Sequence, residues 1–258
     1  MSEETKVTLY DITSVLQDKA WSPNTWRTRY VLNLKGIPYQ TRWLLHPEIE
    51  RELKGIGAPP TIHWILKTET YTLPAIYDHT NATAISDSNK IARYLEQTYP
   101  QTRPLRVAES LEFVDSYGKR LNDALFLLLA AQTAENLVPE TRQAWREKRE
   151  RAFGMRLEAL AEPDERRDML LTDVLGVLSD IDAHSNSKGE SPYIQDDEVT
   201  YRDVVTAATL TWARRVAGVD SDVYGLIMEV HGGRWKWLMD RFAEWEVVDG
   251  VEVENGVL

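Results

Sequence analysis

The chain has 258 residues, 43% of them hydrophobic, which is enough for two domains of ordinary size, each with its own core. Its formal net charge of −11 disfavours nucleic acid and anionic membrane surfaces as partners. It contains no cysteine, which excludes disulfides, thiolate metal ligands and a cysteine nucleophile.

The sequence shows no secretory signal, no membrane helix and no metal-ligand motif. Met1–Lys6 lacks the basic start and apolar run of a secretory signal, and no window holds the roughly 18 apolar residues that a membrane helix needs. The five histidines are scattered, without a pair at metal-ligand spacing. We therefore expect a cytoplasmic protein that binds no metal, no membrane and no nucleic acid.

The N-terminal part of the chain, residues 7–99, is predicted to fold as β-α-β-α-β-β-α. Its first strand, Val7–Ile12, is β-branched and aromatic. Its first helix begins at Ser22-Pro23, since serine is a good N-cap and proline suits the first helical position. Further strands are predicted near residues 39–43, 71–77 and 83–85, and further helices near 47–54 and 86–99.

The C-terminal part of the chain has no strand signal and is predicted to be all-helical. Apolar positions recur at helical spacing in residues 111–128, 145–160, 170–181, 204–213 and 235–245. Val204–Ala213 carries no charge, which predicts a buried central helix. Thr200 and Asp203 have the spacing of a capping box at its start, a structural role. The change of character near residues 101–106 divides the chain into domains 1–101 and 106–258.

Leu73-Pro74 interrupts a segment that is otherwise typical of a strand. Proline removes a ladder donor and is confined to edges, bulges and the starts of strands. A cis peptide bond at the start of the strand is one explanation, and it would leave the backbone of Leu73 free to pair with an extended peptide ligand. An edge strand or a bulge is the alternative, which this motif alone favours.

Asp87 and Ser88 stand at the start of a predicted helix. Small hydroxyls and free backbone N–H groups at such a place bind anions, and the carboxylate of Asp87 can meet an ammonium group. The pair therefore suits a ligand with both charges at one end. The alternative is simple N-capping, for which serine and aspartate are preferred, and capping is several times more common.

Ser22 lies at the tip of the first strand–helix connection. A hydroxyl there, aided by the N–H groups of the helix start, can donate a hydrogen bond to a thiolate and so lower the pKa of the thiol. Ser22 is equally suited to cap the helix, and the sequence leaves both interpretations open. The side-chain amide of Asn24 is an alternative donor at the same place.

Aromatic residues are abundant, with nine tryptophans and eleven tyrosines. Such side chains can line a pocket for planar ligands, although most of them are expected in the core. The candidates in the N-terminal part are Trp21, Trp26, Trp43 and Trp64.

Together, the order of elements and these motifs resemble the cytosolic glutathione transferases over nearly the full chain. The matching motifs are the cis-proline motif at Leu73-Pro74, the acidic-serine pair at Asp87-Ser88 and the capping box at Thr200 and Asp203. The resemblance implies an α/β thioredoxin-like N-terminal domain that binds glutathione, followed by an all-α C-terminal domain that contributes the hydrophobic substrate site. Residues 20–29, 56–61 and 71–74 resemble, more narrowly, the fungal FuA class, which is related to the bacterial glutathione-dependent β-etherases.

The resemblance also implies roles for single residues. Ser22 faces the glutathione sulfur, the backbone of Leu73 pairs with the cysteinyl part, and Asp87-Ser88 holds the γ-glutamyl end. Position 87 is aspartate where many relatives have glutamate, which shortens its reach. The expected protein is a homodimer that accepts hydrophobic, aromatic small molecules such as wood-derived or polyphenolic compounds.

Three classes of function are compatible with these features: a transferase, a carrier and an interaction protein. The absence of cysteine disfavours disulfide reduction through a mixed disulfide, so conjugation of glutathione to an electrophile by a serine-type enzyme is the leading hypothesis. Cleavage of β-aryl ethers by the same thiolate is a variant of it. A non-catalytic carrier of phenolic compounds, or an interaction protein on the same fold, is the alternative.

Overall fold

The structure, a computed structural model, describes residues 5–62, 67–185, 191, 193–195 and 198–248. These residues form two compact units. The part up to Arg103, together with the part from Glu244 onward, makes the first unit, and Pro104–Ala243 makes the second. The sequence indicated the change near residue 103, but not the return of the chain to the first unit at Glu244.

The first unit is built on a mixed sheet. Its strands are β1 (Val7–Ile12), β2 (Tyr39–Leu44), β3 (Thr61–Ile62), β4 (Glu69–Thr70), β5 (Ala75–Asp78) and β6 (Thr83–Ser86). Four of them form a sheet in the order β2-β1-β5-β6, and β3 pairs with β4. Strand β1 runs parallel to β2 and antiparallel to β5. As an inner strand covered on both faces, β1 has all of its residues buried.

Three helices accompany the sheet: α1 (Pro23–Leu34), α2 (Ile49–Gly55) and α3 (Ser88–Thr98). Helix α1 is the crossover between the parallel strands β1 and β2, as that connection requires. It is buried on nearly every side, even at Thr25, Thr28 and Arg29. Helix α3 buries the apolar stripe of Ile91 and Leu95. The predicted β-α-β-α-β-β-α order is confirmed, with the short β3 and β4 added between α2 and β5.

The third long strand is shorter than the sequence predicted. We expected a strand over residues 71–77, but β5 covers only Ala75–Asp78. Pro74 has no N–H to donate to a ladder, so the regular pairing begins after it. The Leu73-Pro74 peptide bond is cis.

The segment that follows the last helix packs on the first unit through polar contacts. The side-chain amide of Asn33 donates to the carbonyl oxygens of Trp245 at 2.7 Å and Val247 at 2.9 Å. The Tyr39 hydroxyl also donates to Val247, and the Arg103 guanidinium lies over the Trp245 ring. These contacts explain why residues 244–247 group with the first unit.

The regular secondary structure in the described part of the second unit is helical. Its helices are α4 (Val107–Phe113), α5 (Lys119–Glu135), α6 (Pro139–Phe153), α7 (Asp164–Ala183), α8 (Tyr201–Ala217) and α9 (Asp222–Phe242), the last broken by non-helical backbone at residues 230–233. Helix α8 is the buried central helix that the sequence predicted. At its start the Asp203 carboxylate accepts hydrogen bonds from the Thr200 N–H and hydroxyl and from the Ile194 N–H, each within 2.8 Å. The capping-box interpretation of Thr200 and Asp203 is confirmed.

Two predicted helices of this unit are interrupted. Leu157 and Leu160 were expected to continue the helix of Trp145, but α6 ends at Phe153 because Gly154 has φ +71°. The helix predicted over residues 111–128 contains a π-helical turn at Val114–Gly118. A Cβ at Gly118 would lie 2.7 Å from the Val205 side chain, so only glycine permits this approach of α8.

Candidate functional site

The start of α1 presents polar groups that have no hydrogen-bond partner in the described part of the chain. Ser22 stands at the N-cap position, but its hydroxyl makes no capping hydrogen bond, and within the described residues it has no hydrogen-bond partner. The side-chain amide of Asn24, two positions on, is likewise without a partner in the described part of the chain. Since the first N–H groups of a helix also lack intrahelical acceptors, this end of α1 can donate several hydrogen bonds to a negatively charged atom.

The start of α1 is held against the end of β1. The carboxylate of Asp11, the last but one residue of β1, interacts with the Thr25 hydroxyl and with the Arg29 guanidinium. The carbonyl oxygen of Ser22 accepts hydrogen bonds from the Trp26 N–H and from the Thr25 hydroxyl, both at 2.9 Å. Ser22 therefore lies at the C-terminal end of β1.

The register of the sheet brings the other predicted residues to the same edge. Tyr10 pairs with Ala75, and Ala75 pairs with Ser86, so these three residues form one row across β1, β5 and β6. Leu73-Pro74 comes directly before this row on β5, and Asp87-Ser88 comes directly after it on β6. Because β5 runs antiparallel to its two neighbours, both pairs leave the sheet at the C-terminal end of β1.

Leu73 is half-buried at this edge and lies outside the β1–β5 register, which begins at Ala75. Pro74 is buried. The neighbouring Thr72 is fixed by a hydrogen bond between its hydroxyl and that of Thr61. The backbone on this side of β5 is thus held in place by side-chain contacts as well as by the sheet.

Asp87 caps α3 with one of its two carboxylate oxygens. Its Oδ1 accepts hydrogen bonds from the N–H groups of Asn89 at 2.9 Å and Lys90 at 3.1 Å. Its Oδ2 has no partner within the described residues. Capping is therefore observed, but it uses only Oδ1. A carboxylate can accept about four hydrogen bonds, and the capping contacts account for two of them.

The backbone of Asp87 is unusual. Its φ of +82° is rare for a residue with a side chain, and such strain concentrates at binding and catalytic sites. Ser88 next to it is buried, and the hydroxyl of buried Ser86 has no hydrogen-bond partner among the described residues. Small hydroxyls therefore surround the start of α3, as the sequence predicted.

Sequence analysis missed the buried ion pair of Asp11 and Arg29. Arg29 Nη2 lies 2.8 Å from Asp11 Oδ2, and both side chains are fully buried. Burial raises the pKa of the Asp11 carboxyl, while the Arg29 guanidinium beside it lowers it. A charged residue inside an otherwise apolar buried strand is the signal that could have revealed the pair.

The aromatic residues predicted to line a pocket differ in their burial. Trp21 and Trp26 are buried, and Trp26 is fully covered, so it belongs to the core. Trp43 is half-buried beside the guanidinium of Arg29, and Trp64 lies outside the described residues.

Metal and membrane features are not found in the described residues. No group of three or more metal-ligating side chains occurs in that part of the chain. None of the helices described there is both long and apolar enough to cross a bilayer.

Comparisons with known proteins identify relatives over both units. The model of the glutathione S-transferase N-terminal domain matches residues 21–98, and that of the glutathione S-transferase C-terminal domain matches residues 110–245. The glutathione S-transferase-like protein ustS of Aspergillus flavus is 27% identical over 277 aligned positions, which cover 99% of this chain and 96% of that protein.

Two solved structures resemble the chain over almost its whole length. Glutathione transferase GSTFuA3 of Phanerochaete chrysosporium is 33% identical with a TM-score of 0.84, covering 95% of this chain and 98% of that one. Glutathione S-transferase CsGST63524 of Ceriporiopsis subvermispora, solved in complex with glutathione, is 34% identical with a TM-score of 0.88, covering 95% of this chain and 100% of that one. The predicted resemblance and the predicted two-part architecture are confirmed.

Proposed function

The chain belongs to the glutathione S-transferase family, and from this premise we propose that it activates the thiol of glutathione for attack on hydrophobic, aromatic electrophiles, with Ser22 as donor to the thiolate. Similarity to the FuA transferases over nearly the full chain supports the reaction class. Glutathione bound in the structure from Ceriporiopsis subvermispora supports the cosubstrate.

The single observation that carries this proposal is the row formed by Tyr10, Ala75 and Ser86. Through it, the backbone at Leu73-Pro74 and the acid at Asp87-Ser88 leave the sheet at one edge. An extended tripeptide pairs there with the backbone of Leu73 through its central residue. Its γ-glutamyl end then meets the strained, partly free carboxylate of Asp87 and the N–H groups at the start of α3.

The chemistry is assigned to the start of α1. The thiol of bound glutathione loses its proton to solvent, and the Ser22 hydroxyl and the N–H groups of the first turn stabilise the thiolate that remains. The sulfur lone pair forms the new carbon–sulfur bond, and the electron pair of the broken bond departs with the leaving group. The amide of Asn24 is the alternative donor.

We propose the remaining features by analogy with the family. We assign glutathione binding to residues 1–101 and binding of the electrophile to the helical residues 106–258. The protein acts as a cytoplasmic homodimer that detoxifies wood-derived or phenolic compounds. Cleavage of β-aryl ethers by the same thiolate is the related alternative, and carriage of polyphenols without turnover is the other.

Binding and turnover, measured together, test the proposal. We expect the protein to be retained on immobilised glutathione, to elute with free glutathione, and to turn over an aryl halide or an isothiocyanate. Retention without turnover of either electrophile, alongside thermal stabilisation by phenolic compounds, would favour the carrier. A folded protein that is not retained at all would contradict the glutathione site.

A further inference from the structure

We propose that the buried ion pair of Asp11 and Arg29 is a positioning device that fixes the start of α1 against the end of β1, so that the Ser22 hydroxyl is held where it meets the glutathione sulfur. This inference rests on the proposed function. It assigns a role to two residues that touch no substrate and that lie beneath the site.

The ion pair joins three elements of the first unit. Arg29 Nη2 donates to Asp11 Oδ2 at 2.8 Å, which ties α1 to β1. Arg29 Nη1 donates to the Thr41 hydroxyl at 3.1 Å and to the Tyr39 hydroxyl at 3.3 Å, which ties α1 to β2. The other oxygen of Asp11 accepts from the Ile12 N–H at 2.6 Å. The planar, five-donor guanidinium fixes both the distance and the rotation of α1.

Thr25 connects the ion pair to Ser22. Its hydroxyl donates to the Ser22 carbonyl oxygen at 2.9 Å and lies close enough to the Asp11 carboxylate to affect the pKa of that group. Thr25 and Arg29 are four residues apart, on one face of α1, so both the first and the second turn of the helix face Asp11. Thr25 thereby lies between the Ser22 carbonyl oxygen and the carboxylate that pairs with Arg29.

Stability alone does not account for such a pair. Removing two charges from water is costly, and a buried ion pair can often be replaced by apolar side chains without loss of stability. The same sheet holds a buried carboxylate without a cation at its other end. There, Asp78 accepts hydrogen bonds from neutral donors, the hydroxyls of Tyr94 at 2.7 Å and Tyr99 at 2.9 Å. A guanidinium partner is used at the Ser22 end.

Position is the property that a thiolate donor needs. Displacement of a catalytic group by about 1 Å can lower the rate by roughly a hundredfold, while ligand contacts elsewhere survive. The proposed glutathione-binding groups at Leu73 and Asp87 adjoin β5, β6 and α3, none of which contains a residue of the ion pair. Loss of the pair should therefore raise the pKa of the bound thiol and lower kcat, while glutathione affinity changes much less.

The test uses the double variant Asp11→Leu with Arg29→Met, which leaves no unpaired buried charge. Three quantities are measured: glutathione affinity by calorimetry, the pH titration of the bound thiol by thiolate absorbance, and kcat with an aryl halide. We expect affinity to change less than about threefold, while kcat and the thiolate fraction at neutral pH fall about tenfold, the equivalent of one pKa unit.

Asp78→Asn is the matched control. It changes a fully buried carboxylate of the same sheet at the end remote from Ser22. We expect it to lower the midpoint of urea unfolding but to leave the titration of the bound thiol unchanged. If Asp78→Asn raises the thiol pKa as much as the double variant does, general loosening of the domain explains the effect and the inference is overturned.

If the double variant does not fold, the same titration is carried out on Thr25→Val. This nearly isosteric change removes only the hydroxyl that links Asp11 to the Ser22 carbonyl, and we expect a smaller rise of the thiol pKa in the same direction. An unchanged titration in every folded variant overturns the inference alone. A wild-type protein that binds glutathione without lowering the thiol pKa overturns the proposed function itself.

Discussion

Asn33 in α1 donates its side-chain amide to the carbonyl oxygen of Trp245 at 2.7 Å, across 212 positions of sequence. A second hydrogen bond from the same amide reaches Val247. The last described residues of the chain are therefore held by the helix whose first turn carries Ser22. The strength of this contact can be measured directly.

Asn33→Leu should release this segment. Two hydrogen bonds to backbone carbonyls are lost, and we expect a decrease of about 1 to 2 kcal/mol in the free energy of unfolding. Limited proteolysis after Ala243 should become faster. Asn136→Leu, which removes one amide hydrogen bond at the end of α5, serves as control and should leave this cleavage unchanged. Equal cleavage in wild type and Asn33→Leu would show that Asn33 does not hold the segment.

Ser22→Ala should lower turnover more than it lowers glutathione affinity. The hydroxyl has no hydrogen-bond partner among the described residues, so we expect its loss to cost little stability and to remove the proposed donor to the thiolate. Loss of a single donor of this kind lowers kcat by about a hundredfold or more in other enzymes. Steady-state kinetics with Asn24→Ala in parallel separate the two candidates. Unchanged turnover in Ser22→Ala would transfer the role to Asn24 or to the backbone N–H groups.

Asp87→Asn should separate capping from ligand binding. Asparagine caps helices as well as aspartate and tolerates positive φ, so we expect the stability of α3 to be kept. The substitution removes the charge that we propose for the glutathione ammonium group, and affinity should fall about tenfold, as for a charge-assisted hydrogen bond.

A glutathione analogue that lacks the α-amino group sharpens this experiment. Wild type should bind the analogue more weakly than glutathione, whereas Asp87→Asn should bind both about equally. If the wild-type preference persists in Asp87→Asn, a different group holds the ammonium and Asp87 acts only as a cap.

The raised pKa of Asp203 predicts that the stability of the second unit depends on pH. Burial raises the pKa of its carboxyl to about 6, from an ordinary value of 3.8. Because the folded state then binds the proton more tightly than the unfolded state, this group stabilises the fold most at pH values below the unfolded pKa. The contribution is lost as the pH rises through about 6.

The comparison with Asp203→Asn isolates that contribution from all other acids. The difference in free energy of unfolding, wild type minus variant, should be about 1 kcal/mol larger near pH 5 than near pH 7. Urea unfolding at both pH values measures it. A difference that grows towards pH 7 would mean that the carboxylate is stabilised in the fold by the Thr200 and Ile194 hydrogen bonds.

Much of the fold could be predicted because its signals are local. Ser22-Pro23 marks the first residue of α1, and the spacing of Thr200 and Asp203 marks the start of α8. Asp87-Ser88 likewise marks the start of α3. At α3 and α8 one carboxylate accepts hydrogen bonds from backbone N–H groups at the helix start, and at α1 Pro23 occupies the first helical position, which suits it.

The features that escaped prediction depend on residues far apart in sequence. The pairing of Asp11 with Arg29 joins a strand to a helix, and the contact of Asn33 with Trp245 joins α1 to the last described segment of the chain. The approach of Gly118 to Val205 determines the packing of a π-helical turn, which no helical periodicity indicates. Only the three-dimensional structure brings these residues together.

The pH titration of glutathione bound to the wild-type protein tests the central claim most directly. Thiolate absorbance, followed from acidic to alkaline pH with the protein in excess, should show the bound thiol ionising at a lower pH than free glutathione does. In Ser22→Ala, the pKa of the bound thiol should return most of the way to the pKa of free glutathione. A bound thiol that ionises at the pH of free glutathione would contradict the account.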